Sequence, residues 1–215
     1  VYEDKITTFG HLLKAMKEDF RDDEILRQYL LHKVPKFCKD KDATEFGKKV
    51  MDDLAECLGG QANYRGGKFE PSLFAFYSYN WFKNVTIATA DGRKSESALS
   101  RGVNPSESTE NINIAALLDA IKTMDYTKYP GGAVIYMDIP LMYKTPQPSL
   151  FASVMRVFCE NGGSIMDFNV ISRNALLEAQ KNPETHKNIV VRVCGYSAYF
   201  HTLTAEMQNE VIQRT

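Results

Sequence analysis

Three kinds of residue in this sequence could carry chemistry: a glycine between an apolar strand and an aromatic run, four cysteines, and a few polar residues set among apolar ones. Ile189-Val190-Val191-Arg192-Val193 leads into Cys194-Gly195-Tyr196, then Ser197-Ala198-Tyr199-Phe200. A glycine there marks a point where a Cβ would clash or where φ must be positive, and a plain turn meets the same description. Cys38, Cys57, Cys159 and Cys194 form no CxxC pair and no metal-ligand spacing with the four histidines, so no metal site is expected. They read as free thiols of a reducing cytoplasm. Asp138 interrupts an apolar strand and suits a substrate cavity as well as an exposed strand face. Asp167 and Asn169 share one side of another strand and point to a polar interior or to solvent. His201 and His186 read as surface and loop residues. Asn84-Val85-Thr86 fits a glycosylation sequon but has no secretory context.

The elements that would position these residues follow from periodicity. Leu12, Leu13, Met16 and Phe20, then Ile25, Tyr29 and Leu30 after Asp22-Asp23-Glu24, recur at helical spacing. A third helix, capped by Asp42, places Phe46, Val50, Leu54 and Leu58 on one face and stops at Gly59-Gly60. The aromatic stretch Phe69, Phe74, Phe76, Tyr77, Tyr79, Trp81 and Phe82 reads as core. Residues 88–108 turn small and polar, a long loop of the kind that is functional or disordered. Beyond it the pattern gives a helix at Asn113–Met124, a strand at Ala133–Ile139, a helix at Ser149–Glu160 and a strand at Ser164–Ile171. A helix capped by Ser172 or Asn174, the strand Ile189–Val193 and a terminal helix capped by Thr204 complete the order of an α/β layer or barrel segment.

Composition limits the function classes. The 215 residues carry 26 Lys+Arg against 27 Asp+Glu and are 44% hydrophobic, ordinary for a globular domain. A net charge of −1 argues against nucleic acid as the main partner. No window approaches the uninterrupted apolar length of a membrane-spanning helix. The sequence opens at Val1 on what reads as mid-domain sequence, the expectation for a fragment, a processed chain or one subunit of something larger.

Arg192-Val193-Cys194-Gly195-Tyr196-Ser197-Ala198-Tyr199-Phe200 resembles the signature of the glycyl radical enzymes, the family of pyruvate formate-lyase and the glycyl-radical dehydratases and lyases. Gly162-Gly163-Ser164 with Phe168-Asn169-Val170, and Leu177 with Ala179 through Glu184, are similar to the segment before that signature. Leu203-Thr204 to Gln208, Ile212 and Arg214-Thr215 are similar to the terminal helix. Upstream, Arg65–Phe69, Ala88–Lys94 and Gly102–Ser106 resemble family loops in the right order, so the likeness covers nearly the whole chain.

The resemblance implies an α/β fold, the C-terminal part of a barrel with the radical loop inserted into it. Residues 1–130 would form a helical, loop-rich part of the body and residues 131–215 the radical domain. It implies a backbone radical stored on Gly195 rather than a bound cofactor, installed by a separate activating enzyme that uses S-adenosylmethionine and an iron–sulfur cluster. Val193, Tyr196, Tyr199 and Phe200 would keep that radical dry. The family's thiyl cysteine sits in a Gly-Cys-x-Glu-like string. This sequence has none, so a larger partner chain would supply the cysteine and glutamate, and Cys194 reads as a small apolar filler. The run after Gly195 favours the lyase and dehydratase branch, an oxygen-sensitive anaerobic enzyme acting on a small polar substrate in the cytoplasm, with neither nucleic acid nor membrane as partner. The alternative is a replacement protein that carries a fresh radical loop onto an oxygen-damaged enzyme.

Overall fold

A computed structural model describes residues 5–75, 78–106, 108–109, 114–138 and 148–215, with the backbone alone for Asp138, Leu150 and Arg214. Three helices come first: α1 (Phe9–Lys17), α2 (Glu24–His32) and α3 (Lys41–Leu58). Thr8 caps α1 by accepting from the His11 amide, and Asp40, not Asp42, caps α3 by accepting from the Asp42 and Ala43 amides. Leu12, Ala15, Leu30 and Phe20 bury together with Ala88 in a first small core. Phe20 reaches it from beyond α1, through left-handed backbone at Asp19 and Phe20.

Helix periodicity misassigned two faces. Ile25 is 90% exposed, and the α3 stripe Phe46, Val50, Leu54 and Leu58 lies on the surface, while Thr44 and Ala55 face inward. Thr44 and Ala55, about three full turns apart, mark the inner face, and Phe46, two residues past Thr44, starts nearly opposite it, so the regular stripe begins on the outward side. The aromatic stretch is not a core either. Tyr79 is buried in the short helix α4 (Ser78–Trp81) and Phe74 packs beside it, but Phe69, Trp81 and Phe82 are exposed. Phe76 and Tyr77 lie outside the described residues.

The second half alternates as expected through α5 (Ile114–Lys122), β1 (Val134–Asp138), α6 (Pro148–Glu160), β2 (Ile165–Asn169), α7 (Arg173–Lys181) and β3 (Val190–Arg192), but a strand the sequence reading did not assign, β4 (Ser197–Tyr199), comes before α8 (Ala205–Arg214). Ser172 and Thr204 cap α7 and α8 through their side chains. β1 and β2 pair in parallel from Val134↔Ile165 to Asp138↔Asn169, and β3 and β4 form an antiparallel hairpin. Among the described residues the strands make these two two-stranded sheets and close no barrel.

β1 is buried on both faces and divides the interior. Ile135 and Met137 belong to a core with Leu117, Ile121, Val154 and Phe158 of α5 and α6. Val134 and Tyr136 face the other way, into a core with Leu176, Val191, Val193, Phe200 and Val211. Each such side chain contributes about 1.5–3 kcal/mol by leaving water, so this five-residue strand is the seam that joins the two cores.

The long loop expected at 88–108 is anchored rather than loose. Arg93, 4% exposed, donates to the carbonyls of Ile87, Lys94 and Ser97 at 2.6–2.7 Å. Lys36 and Arg27 donate to the Asp91 and Gly92 carbonyls, tying the loop to the first helices. The Asp91 carboxylate accepts from the hydroxyls of Thr89, Ser106 and Ser108. Further along, Val103 donates to the Val134 carbonyl, and the Asn104 amide bonds the Tyr136 backbone in both directions, so the loop end lies along β1 like another strand. Gly102, at φ +52°, permits the approach, since a Cβ there would lie 2.2 Å from the Val134 carbonyl oxygen.

Burial pushes the Asp91 carboxyl up, but its three hydroxyl donors and Lys36 outweigh that and hold it at about 2, against an ordinary 3.8. A carboxyl depressed by folding stabilises the fold above its unfolded value, and the contribution is lost as pH falls through the folded one. We expect roughly 1–2 kcal/mol of stability to disappear between about pH 4 and pH 2 in the natural chain and not in Asp91→Asn, read as urea midpoints against pH.

Candidate functional site

The glycine singled out by sequence sits at the tip of the β3–β4 hairpin. The Val193 amide donates to the Tyr196 carbonyl at 2.9 Å, so Cys194 and Gly195 are the two loop residues. Gly195 has φ +77°, and an added Cβ would meet nothing within 4 Å. Of the two reasons for glycine, the left-handed backbone applies, and steric crowding from the described residues does not.

The hairpin is fastened to β2 by side chains rather than by a strand ladder. Asn169 accepts from the Arg192 amide at 2.7 Å and donates to the Arg192 carbonyl at 3.0 Å, filling both backbone bonding sites of one residue. Asp167 accepts from the Arg192 Nε at 2.9 Å through one oxygen and from the Gly195 amide at 3.1 Å through the other. Asp167 and Asn169 are 5% and 8% exposed, whereas Met166 and Phe168 on the opposite face of β2 are only half-buried. The polar face is therefore the inner one here, which the hairpin's own polar groups make stable.

Beneath the tip, Cys194 is buried, with its Sγ 3.0 Å from the Tyr136 hydroxyl, and the Arg101 guanidinium lies over the Tyr136 ring, 5.4 Å from its centroid. Burial first, then the bond to Cys194, pushes the Tyr136 hydroxyl well above its ordinary range, so it remains a phenol. Cys194 is thus a core filler that also has a polar partner.

Among the described residues the expected apolar shield does not form. Val193 and Phe200 are buried, but they face the core below the hairpin, while Gly195 is exposed and Tyr196 and Tyr199 are 46% and 53% exposed. Strand alternation explains this: β4 turns Ala198 and then Phe200 inward, which sends Tyr199 out. Ser197 is exposed and Ala198 half-buried. His201 is half-buried and tilted against the Tyr199 ring. Asp138 ends β1 in register with Asn169, and its side chain lies outside the described residues. Among the described residues no three His, Cys, Asp or Glu side chains gather around a possible metal position, and no helix is long and apolar enough to cross a membrane.

Asp167, Asn169 and Tyr136 are the residues that sequence reading did not bring to Gly195. The alternation of β2 shows that Asp167 and Asn169 share a side, but not that the hairpin covers it.

Two glycines provide a contrast. Gly195→Ala should cost roughly 1–2 kcal/mol for left-handed backbone alone and leave the fold intact. Gly102→Ala should cost more than about 3 kcal/mol, because its Cβ meets backbone. Thermal melts of both variants check this.

Comparison with known proteins gives two family matches in chain order: Pyruvate formate lyase-like over residues 1–83 and Glycine radical over residues 99–201. The chain is 28% identical over 218 residues to trans-4-hydroxy-L-proline dehydratase of Clostridioides difficile, covering 100% of this chain and 28% of the relative. It is 31% identical over 220 residues to isethionate sulfite-lyase of Nitratidesulfovibrio vulgaris, covering 100% of this chain and 26% of that one. A solved structure concerned with 1,2-propanediol dehydration in Roseburia inulinivorans superposes with a TM-score of 0.89 at 28% identity, over 100% of this chain and 28% of its own. The chain thus spans about a quarter of the length of the curated relatives it matches. With a left-handed glycine at the tip of a side-chain-clamped hairpin, inside the stretch that the Glycine radical family describes, the chain belongs to the glycyl radical enzymes.

Proposed function

We propose that this chain is the radical-bearing part of a glycyl radical lyase or dehydratase and that Gly195 stores the radical. The observation that carries the reading is the placement of Gly195. Its α-carbon stands at an exposed turn, unobstructed on the side where a Cβ would be, while its amide is fixed from below. Such a carbon is open to an activating enzyme from outside and to a cysteine brought over it by another part of the enzyme.

In this reading the separate activating enzyme, which uses S-adenosylmethionine and an iron–sulfur cluster, removes one hydrogen atom from the Gly195 α-carbon. The carbon is left with an unpaired electron shared with its two peptide groups. A cysteine outside this sequence, next to a glutamate, then gives its S–H hydrogen atom to Gly195 and becomes a thiyl. The thiyl takes a hydrogen atom from a small polar substrate, a bond in the substrate breaks, and the hydrogen returns. This chain's contribution is to store and position the unpaired electron.

Gly195, Tyr196 and Tyr199 are exposed here, so the dryness that the radical needs falls to the remainder of the enzyme, which also carries the Cys/Glu loop and most of the barrel. Residues 131–215 form the radical-bearing domain, with Arg192 to Phe200 as its loop, and residues 1–130 are part of the enzyme body. The match of residues 1–83 to the Pyruvate formate lyase-like family supports an enzyme body over a replacement module built around the radical domain alone.

Anaerobic incubation of the protein and its partner polypeptide with the activating enzyme and S-adenosylmethionine should yield a doublet in electron paramagnetic resonance that Gly195→Ala abolishes. A doublet that survives the change overturns the assignment. Air admitted to the activated protein should cut the backbone at Gly195 and release a piece of about twenty residues, the stretch after the glycine. An unchanged mass after air exposure of a sample that showed the doublet counts against radical storage at this position.

A further inference from the structure

Asp167 stands out among the groups around the hairpin. It is 5% exposed, lies on a different strand, and reaches across 28 residues of sequence to one backbone N–H, that of Gly195. Its second oxygen is held by Arg192 Nε at 2.9 Å, and the Arg192 backbone is held in turn by both ends of the Asn169 amide. The carboxylate therefore has little freedom to turn away from the glycine. An anchor for a turn needs no charge: a neutral side-chain acceptor, as Asn169 provides, would hold the backbone. Asp167 pairs its charge with the Arg192 guanidinium through one oxygen and turns the other to this particular amide, which makes the bond to Gly195 charge-assisted.

We infer that Asp167 is a positioning residue that tunes the radical at Gly195, an inference that rests on the proposed storage of the radical there. A carbon radical between an amide nitrogen and a carbonyl is stabilised by donation from the nitrogen and withdrawal by the carbonyl. When the N–H donates to a carboxylate, electron density on the nitrogen rises and its donation to the α-carbon grows. Charge-assisted bonds polarise the donor more strongly than neutral ones. The hydrogen atom leaves the α-carbon with its own electron, the N–H stays on nitrogen, and the carboxylate gains no proton.

The same bond directs the change of shape. The unpaired orbital overlaps the nitrogen lone pair only when φ is extended, whereas the resting glycine stands at +77°. Rotation about N–Cα moves the atoms beyond the α-carbon and leaves the amide where Asp167 holds it. Glycine alone travels between left-handed and extended backbone without a Cβ penalty. Asp167 thus keeps the donating half of the radical fixed while the other half flattens against it.

The test uses the complete enzyme, activated anaerobically, and compares the natural protein with Asp167→Asn. The splitting of the doublet measures the spin density left on the α-carbon. Asp167→Asn should widen that splitting and shorten the radical's lifetime under argon about tenfold, the fold-change that one charge-assisted hydrogen bond is worth. A purely structural role would lower the yield of radical without altering its splitting. Unchanged splitting and lifetime overturn the inference while leaving radical storage at Gly195 intact. Absence of any Gly195-dependent doublet in the natural protein overturns the underlying reading instead. If Asp167→Asn does not fold, infrared difference spectra of the natural protein with 13C-labelled aspartate decide: a carboxylate band that shifts on activation supports the role, and no shift refutes it.

Discussion

A glycine has no side chain by which to be held, so its α-carbon can be placed only through its own peptide groups and those beside it. The site depends on that constraint. Asn169 takes both backbone bonding groups of Arg192, and Asp167 takes the Gly195 amide, so two side chains on one face of β2 fix the hairpin that presents the glycine. Both are nearly buried, which makes the bonds costly to break: a released acceptor would be left without water to replace its partner.

β2 can act as this platform because β1 beside it is packed on both faces. Ile135 and Met137 lock it to α5 and α6, and Val134 and Tyr136 lock it to α7, α8 and the hairpin. Tyr136 then links the platform to the tip, by its hydroxyl to the Cys194 sulfur and by its ring to Arg101. The 88–108 loop serves the same end from the other edge, through Gly102, Val103 and Asn104 laid against β1. What reads in sequence as a long polar loop is a fastening. Its bonds go to Asp91, to the Arg93 guanidinium and to backbone carbonyls, so the segment needs few apolar residues of its own.

The surface shows where apolar side chains lack cover. Phe46, Val50, Leu54 and Leu58 of α3, Trp81 and Phe82, and Tyr196 and Tyr199 beside the glycine are all substantially exposed. Apolar residues grouped on one helix face or beside a candidate site carry more meaning than single ones scattered over a surface. They accord with a chain that spans about a quarter of its curated relatives.

The sequence by itself determined the helix–strand order of the second half apart from β4, the cap at Thr204, the start of α7 to within Ser172 or Asn174, and the glycine at the strand-to-aromatic junction, because these depend on local periodicity and local backbone chemistry. The family was legible for the same reason: its signature is a short, contiguous string. Tertiary structure alone decided that the polar face of β2 is the buried one, that Asp167 and Asn169 reach the hairpin, and that the α3 stripe and Tyr199 face outward. Alternation along a strand sorts side chains into two faces but cannot say which is covered. That depends on which distant segment packs there, and here it is a hairpin whose own polar groups pair with the polar side.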